Sequence, residues 1–197
     1  MKRILCIIFL CTALYSVTAQ DKNEETLLSG KVDNGWAVGS YAGLSVFDNQ
    51  ISIIDGFRAE WIINKNWFVG WQSYESMGNN LDAPIASQSE KISMDIKYRG
   101  LIVGRLFRSE KLVHWGIEGL VGWGTIDYDQ DNSDREWDED YFFTAQPSVF
   151  AELNVVTWFR IRGNAGYRIA RGVSMEGLEN SDICGPMGGI TFRFGKF

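Results

Sequence analysis

His114, Cys184, an acidic stretch and a set of alternating charges are the side chains that could do chemistry here. His114 precedes Glu118 by four residues, which places a base and an acid on one face of a strand. Hydrolysis also needs a nucleophile held beside them. Neither G-x-S-x-G nor H-E-x-x-H occurs, and His114 runs into Trp115-Gly116 rather than a serine. The expectation is a histidine satisfied inside the fold. Asp127, Asp129 and Asp131 alternate at the head of the stretch 127–140, a spacing that suits hard-cation ligands. An EF-hand counted from Asp127 needs Gly sixth and Glu twelfth, where Asn132 and Asp138 stand. A solvated acidic loop is the main expectation, with weak Ca²⁺ or Mg²⁺ binding beside it. Cys184 reads as a small apolar filler. No cofactor is expected.

The remaining charges recur at every second residue. Arg58 and Glu60 alternate with Phe57, Ala59 and Trp61. Asp95, Lys97, Arg99 and Arg105 alternate with Met94, Ile96, Tyr98, Ile102 and Leu106. Glu118 opposes Ile117 and Val121, and Glu152 opposes Ala151 and Leu153. Arg160, Arg162 and Arg168 alternate with Phe159, Ile161, Tyr167 and Ile169. Period two is the signature of a strand with two unlike faces. Eight such segments follow one another, with centres near 35–47, 57–63, 67–76, 92–106, 113–123, 143–153, 159–169 and 184–196. Many exceed the usual strand of about 5–6 residues, and a tilted strand crossing a bilayer needs about 9–11. The fold class expected is all-β, an eight-stranded antiparallel up-and-down transmembrane β-barrel, with the charged faces inward and the apolar faces toward lipid.

An eight-stranded barrel is only just wide enough for side chains to fill. Charges inside it must pair or hydrogen-bond. Seven cations against four anions leave a basic excess that a bound anion or partial hydration would balance. A paired network that plugs the barrel is the main expectation, ahead of a selective pore.

Residues 1–19 read as a signal peptide. Lys2 and Arg3 form the cationic start, Ile4 to Leu14 an apolar core too short to span a bilayer, and Val17-Thr18-Ala19 the cleavage region. Leu10 before Cys11 argues against lipidation. Residues 20–34 would be a tail and 35–197 the barrel. Removal of the signal leaves 17 Lys and Arg against 25 Asp and Glu. That balance excludes the basic footprint of a nucleic-acid binder.

Connection lengths alternate. Asn64–Asn66, Arg108–Lys111 and Asn154–Thr157 are short, whereas Met77–Glu90, Asp127–Asp140 and Arg171–Ile183 are long. Short periplasmic turns and long outer loops give this pattern; Asp48-Asn49-Gln50 departs from it. Trp36, Trp67, Trp115 and Trp158 fall near one end of the strands, and Phe47, Tyr74, Tyr128 and Tyr141–Phe143 near the other. Two such bands are expected to form interfacial girdles. On this register Trp158 lies on the polar face, and Pro147 points to a bulge in the sixth strand or to a different register there.

The segments Trp158-Phe159-Arg160-Ile161-Arg162, Gly166-Tyr167-Arg168, Gly177–Asp182 and Gly185–Phe197 resemble the C-termini of small exported β-barrel proteins of the Bacteroidota. The chain also resembles the eight-stranded outer-membrane barrels of the OmpA and OmpX type, closely over 141–197 and in architecture before that. The resemblance implies an outer-membrane barrel domain without assigned chemistry, with outer-membrane lipid, lipopolysaccharide and the barrel-assembly machinery as partners. Phe197 resembles the terminal aromatic of the assembly signal, with Gly195, Arg193 and Thr191 at the alternate positions before it. The function expected is structural or surface-interacting, not catalytic. Two other readings stand beside it: a soluble exported barrel carrying an apolar ligand, and a lipid-modifying enzyme that would use His114.

Overall fold

The computed structural model describes residues 32–77, 81–84, 92–130 and 139–197. The signal peptide and most of the expected tail lie outside them. Eight strands appear in order: β1 Asn34–Phe47, β2 Gln50–Ile63, β3 Trp67–Ser76, β4 Ile92–Phe107, β5 Val113–Gln130, β6 Asp140–Val156, β7 Phe159–Arg171 and β8 Gly185–Lys196. One helical turn, α1 Asn180–Ile183, precedes β8. Each strand pairs antiparallel with the next, and β8 closes on β1. The alternation of the sequence is thus the alternation of a closed wall, with no edge strand left open.

Turn chemistry fixes the hairpins. Asp48 and Asn49 both have positive φ, 43° and 59°, as a two-residue I′-type turn requires. Asn64 and Lys65 repeat this at the opposite end, at 50° and 58°. Asn and Asp tolerate the left-handed region better than most residues do. The turns 64–66, 108–112 and 157–158 share one end of the barrel, called here the short-turn end. The strand ends Ser76 and Ile92, Gln130 and Asp140, and Arg171 and Gly185 share the other, the long-loop end, together with the tight turn at Asp48.

Three expectations about the wall are corrected. β6 runs on to Val156, so Trp158 lies in the β6–β7 turn, exposed and stacked on Phe194 at 6.1 Å. Pro147 makes no bulge. The β6–β7 register is the same at Ala145↔Ile169 and Ser148↔Gly166, and the ladder skips the residues between them. Proline has no N–H to give there; the register shift falls at Asn154/Val156. Finally, Phe47, Tyr74, Tyr128 and Phe142 do not belong to an outer girdle, because their side chains are buried inside the barrel. Trp123, Tyr141, Phe143 and Tyr167 are exposed at that level instead, opposite Trp36, Trp61, Trp67 and Trp115 at the short-turn end.

The interior is layered. Phe47, Ile54, Met94, Ile96, Ile126 and Phe142 form an apolar layer under the long-loop end, joined by Leu81 and Ile183 from the connections. Below it Tyr74 stacks on Tyr98 at 4.8 Å and meets Tyr41 edge-on at 5.0 Å. Tyr98 donates to Gln146 Oε1 at 3.1 Å, and Gln146 Nε2 donates to the Tyr74 hydroxyl at 3.2 Å. Charged side chains occupy the half toward the short turns.

Candidate functional site

The charged half of the interior is a lattice of arginine forks and carboxylates drawn from five strands. Arg58 and Glu60 come from β2, His114 and Glu118 from β5, Glu152 from β6, Arg160 and Arg162 from β7, and Arg193 from β8. Period-two spacing within each strand aims them all inward. Arg58 Nη2 donates to Glu118 Oε2 at 2.9 Å, and Arg162 Nη1 donates to the same oxygen at 2.9 Å. Arg162 Nε donates to Glu152 Oε2 at 2.8 Å, and Arg160 Nη1 to Glu152 Oε1 at 3.1 Å. Arg193 contacts both Glu152 and Glu60, and Arg58 contacts Glu60. Glu152 therefore gathers three guanidiniums, with the His114 Nε2 a further 3.1 Å neighbour. Arg58, Arg162 and Arg193 are fully buried. Rings line the lattice: Arg162 lies 3.7 Å over Phe150, and Arg160 3.9 Å over Phe197.

His114 is buried and does not pair with Glu118, four residues on. Its Nδ1 faces the Lys111 carbonyl at 3.3 Å, and its Nε2 faces Glu152. Glu118 is taken by Arg58 and Arg162. Arg168 stands apart from the lattice. It donates to the Ile183 carbonyl, the Ser45 hydroxyl and the Val46 carbonyl, each at 2.7 Å, and lies 3.7 Å over Phe47. It ties the segment before β8 to β1.

Four of the expected inward charges face outward. Asp95, Lys97, Arg99 and Arg105 share the outer face of β4 with Leu101 and Val103. Both faces of β4 carry large apolar side chains, so alternation alone cannot orient it. Packing does: a Cβ on Gly104 would stand 2.2 Å from the Phe68 ring, so the ring lies against that inner face. The outward charges sit where β4 leaves the apolar belt. Lys97 pairs with exposed Glu75 at 3.2 Å. Arg99 lies over Trp123, and Arg105 lies over Trp67 and Phe107 at 5.1 and 5.2 Å.

Arg193 is the interior charge that sequence reasoning passed over, because it was weighed only as a position of the assembly signal. Its alternation with the exposed Phe192 and Phe194 was the available sign. Phe197 follows β8 and packs on Arg160 and Arg193.

The acidic stretch is divided. Asp127 ends up in β5, directly across from Asp95. Asp140 accepts the Ser174 N–H at 2.7 Å, the Ser174 hydroxyl at 2.8 Å and the Met175 N–H at 2.9 Å. Residues 131–138 lie outside the described ones. Among the described residues no three carboxylate, histidine or cysteine groups converge on a metal position. Cys184 Sγ accepts the Ala170 N–H at 3.2 Å, half-buried against the core.

No family model matches the sequence, and no curated protein matches it. Solved structures do. The Neisserial surface protein A aligns over 85% of this chain and 100% of its own, with TM-score 0.59 and 9% identity. Ail, the attachment invasion locus protein of Yersinia pestis, solved with the heparin analogue sucrose octasulfate, aligns over 84% and 99%, with TM-score 0.53 and 13% identity. The fold is that of small eight-stranded barrels of this kind. At these identities the likeness concerns the backbone path. Side chains must carry any statement about role.

Proposed function

We propose that the chain is an exported outer-membrane β-barrel of structural or surface-interacting role, its interior plugged by the arginine–carboxylate lattice and without catalysis. The observation that carries this reading is the reversed polarity of the wall. Arg58, Arg162, Arg168 and Arg193 are fully buried inside, while Trp36, Leu101, Val103, Trp115, Val121 and Val149 are exposed outside. In water that arrangement would leave apolar surface far beyond what a monomer exposes. In lipid closure pairs each strand with two neighbours and leaves no open edge, and the apolar wall lies against hydrocarbon.

A soluble carrier of apolar ligands needs the opposite polarity. A lipid-modifying enzyme built on His114 would need a nucleophile beside that imidazole, and its two ring nitrogens face the Lys111 carbonyl and the Glu152 carboxylate at the short-turn end. In the topology proposed here residues 1–19 direct export, the short turns face the periplasm, and the long loops face outward toward lipopolysaccharide. Phe197 would serve the assembly machinery. Weak divalent-cation binding would belong to the 127–140 stretch.

Membrane-fraction protein, compared unboiled and boiled on an SDS gel, tests the reading. A closed barrel migrates at two positions, and the folded form reconstituted in a planar bilayer passes no steady current. Recovery in the soluble periplasm at one position would overturn it.

A further inference from the structure

The outer wall carries a groove that crosses β3 to β7 and encloses about 780 Å³. It follows two neighbouring rows of the sheet. One row is Arg105↔Ile117↔Val149↔Ala165, and the other contains Gly119↔Pro147. Gly119 forms open floor, since a Cβ built there meets nothing within 4 Å. At the short-turn end the groove meets Arg105, whose guanidinium lies over Trp67 and Phe107 and has no carboxylate within ion-pair distance among the described residues. At the other end, where the β6–β7 ladder skips a step, Pro147, Val149 and Tyr167 border it.

We propose that this groove seats one phospholipid, with the headgroup phosphate on Arg105 and one acyl chain in the trough. The inference rests on the outer face being lipid-facing. Charge and polarity match the occupant: a single cation at the water-side end, then an apolar channel. Dimensions match as well. β3 to β7 is four strand spacings, about 19 Å at ~4.8 Å each. With strands tilted by about 35–45°, that row climbs ~11–13 Å through the membrane. One leaflet of a hydrocarbon core ~30 Å thick is about 15 Å deep. The trough therefore serves an acyl chain of the leaflet at the short-turn side, and a charged guanidinium paired to phosphate gives it a fixed end.

The test is native mass spectrometry of the full barrel released from detergent micelles and titrated with dipalmitoyl phosphatidylglycerol. Wild type should retain one lipid saturably. Arg105→Gln should weaken retention about tenfold or more, the worth of a hydrogen bond to a charged group. Gly119→Leu fills the trough without strain and should abolish retention while the heat-dependent gel shift stays. Equal retention by all three proteins would overturn the seat, and so would a lipid-free dimer that Gly119→Leu breaks. Loss of the gel shift in wild type would instead overturn the membrane reading itself.

Discussion

The two halves of the barrel interior solve one packing problem in opposite ways. Toward the long loops the space holds Phe47, Ile54, Met94, Ile96 and Phe142, and its one arginine, Arg168, bonds only to neutral oxygens. Toward the short turns four arginines share three glutamates. The apolar half is held by contacts that are individually small and replaceable. The charged half is held by a closed set in which each member is costly to remove, because a buried charge without its partner has nowhere to go. The first should tolerate repacking, and the second should fail as a unit.

The sharpest way to break that contrast is Glu152→Ala. It leaves Arg160, Arg162 and Arg193 short of their common anion and should cost about 3–5 kcal/mol. The SDS-gel transition should fall steeply in temperature, if the barrel forms at all. Phe142→Leu in the apolar half, by contrast, should cost about 1 kcal/mol as a near-conservative swap and keep the transition sharp. An equal loss in both variants would erase the distinction between the halves. Arg168→Met probes the boundary. It strands the Ile183 and Val46 carbonyls and should cost about 1–3 kcal/mol, seen as faster proteolysis in 172–184 with a smaller change in the barrel transition. Asp140→Ala removes another tether of that connection, three hydrogen bonds to Ser174 and Met175, and should loosen the same segment by about 1 kcal/mol. Smallest is Lys97→Ala on the outer face. Its ion pair with Glu75 is exposed, so urea unfolding should move by less than about 1 kcal/mol, with the difference shrinking as salt is added.

The same contrast explains what the sequence made legible. Where one face of a strand was charged and the other plainly apolar, as in β2 and β7, alternation oriented the strand. Arg58, Glu60, Arg162 and Arg168 lie where period two put them. β4 has large apolar residues on both faces, so its charges were assigned to the wrong side. Contacts such as the ring of Phe68 against Gly104 and Tyr98 against Tyr74 decide the matter, and they join different strands. Phe47 and Tyr74 were misplaced by a single residue of parity, which an aromatic near a strand end does not reveal. The partners of Glu152 were illegible for another reason. They come from three strands and meet across the interior, so no spacing along the chain encodes them.

The closure register has a consequence of its own. From Ser40 the ladder runs through Phe57, Ser73, Arg99 and Trp123 to Phe143. In the other direction it runs through Phe192 and Ile161 to Leu153. The two routes meet on β6 ten residues apart, at 143 and 153. That stagger is the shear of the cylinder, and with eight strands it fixes both slope and bore. The backbone, not the filling, therefore sets the calibre of this barrel. Swapping ions for methyl groups inside would change what the cylinder contains without narrowing it, whereas sliding one strand past its neighbour would make a cylinder of another gauge.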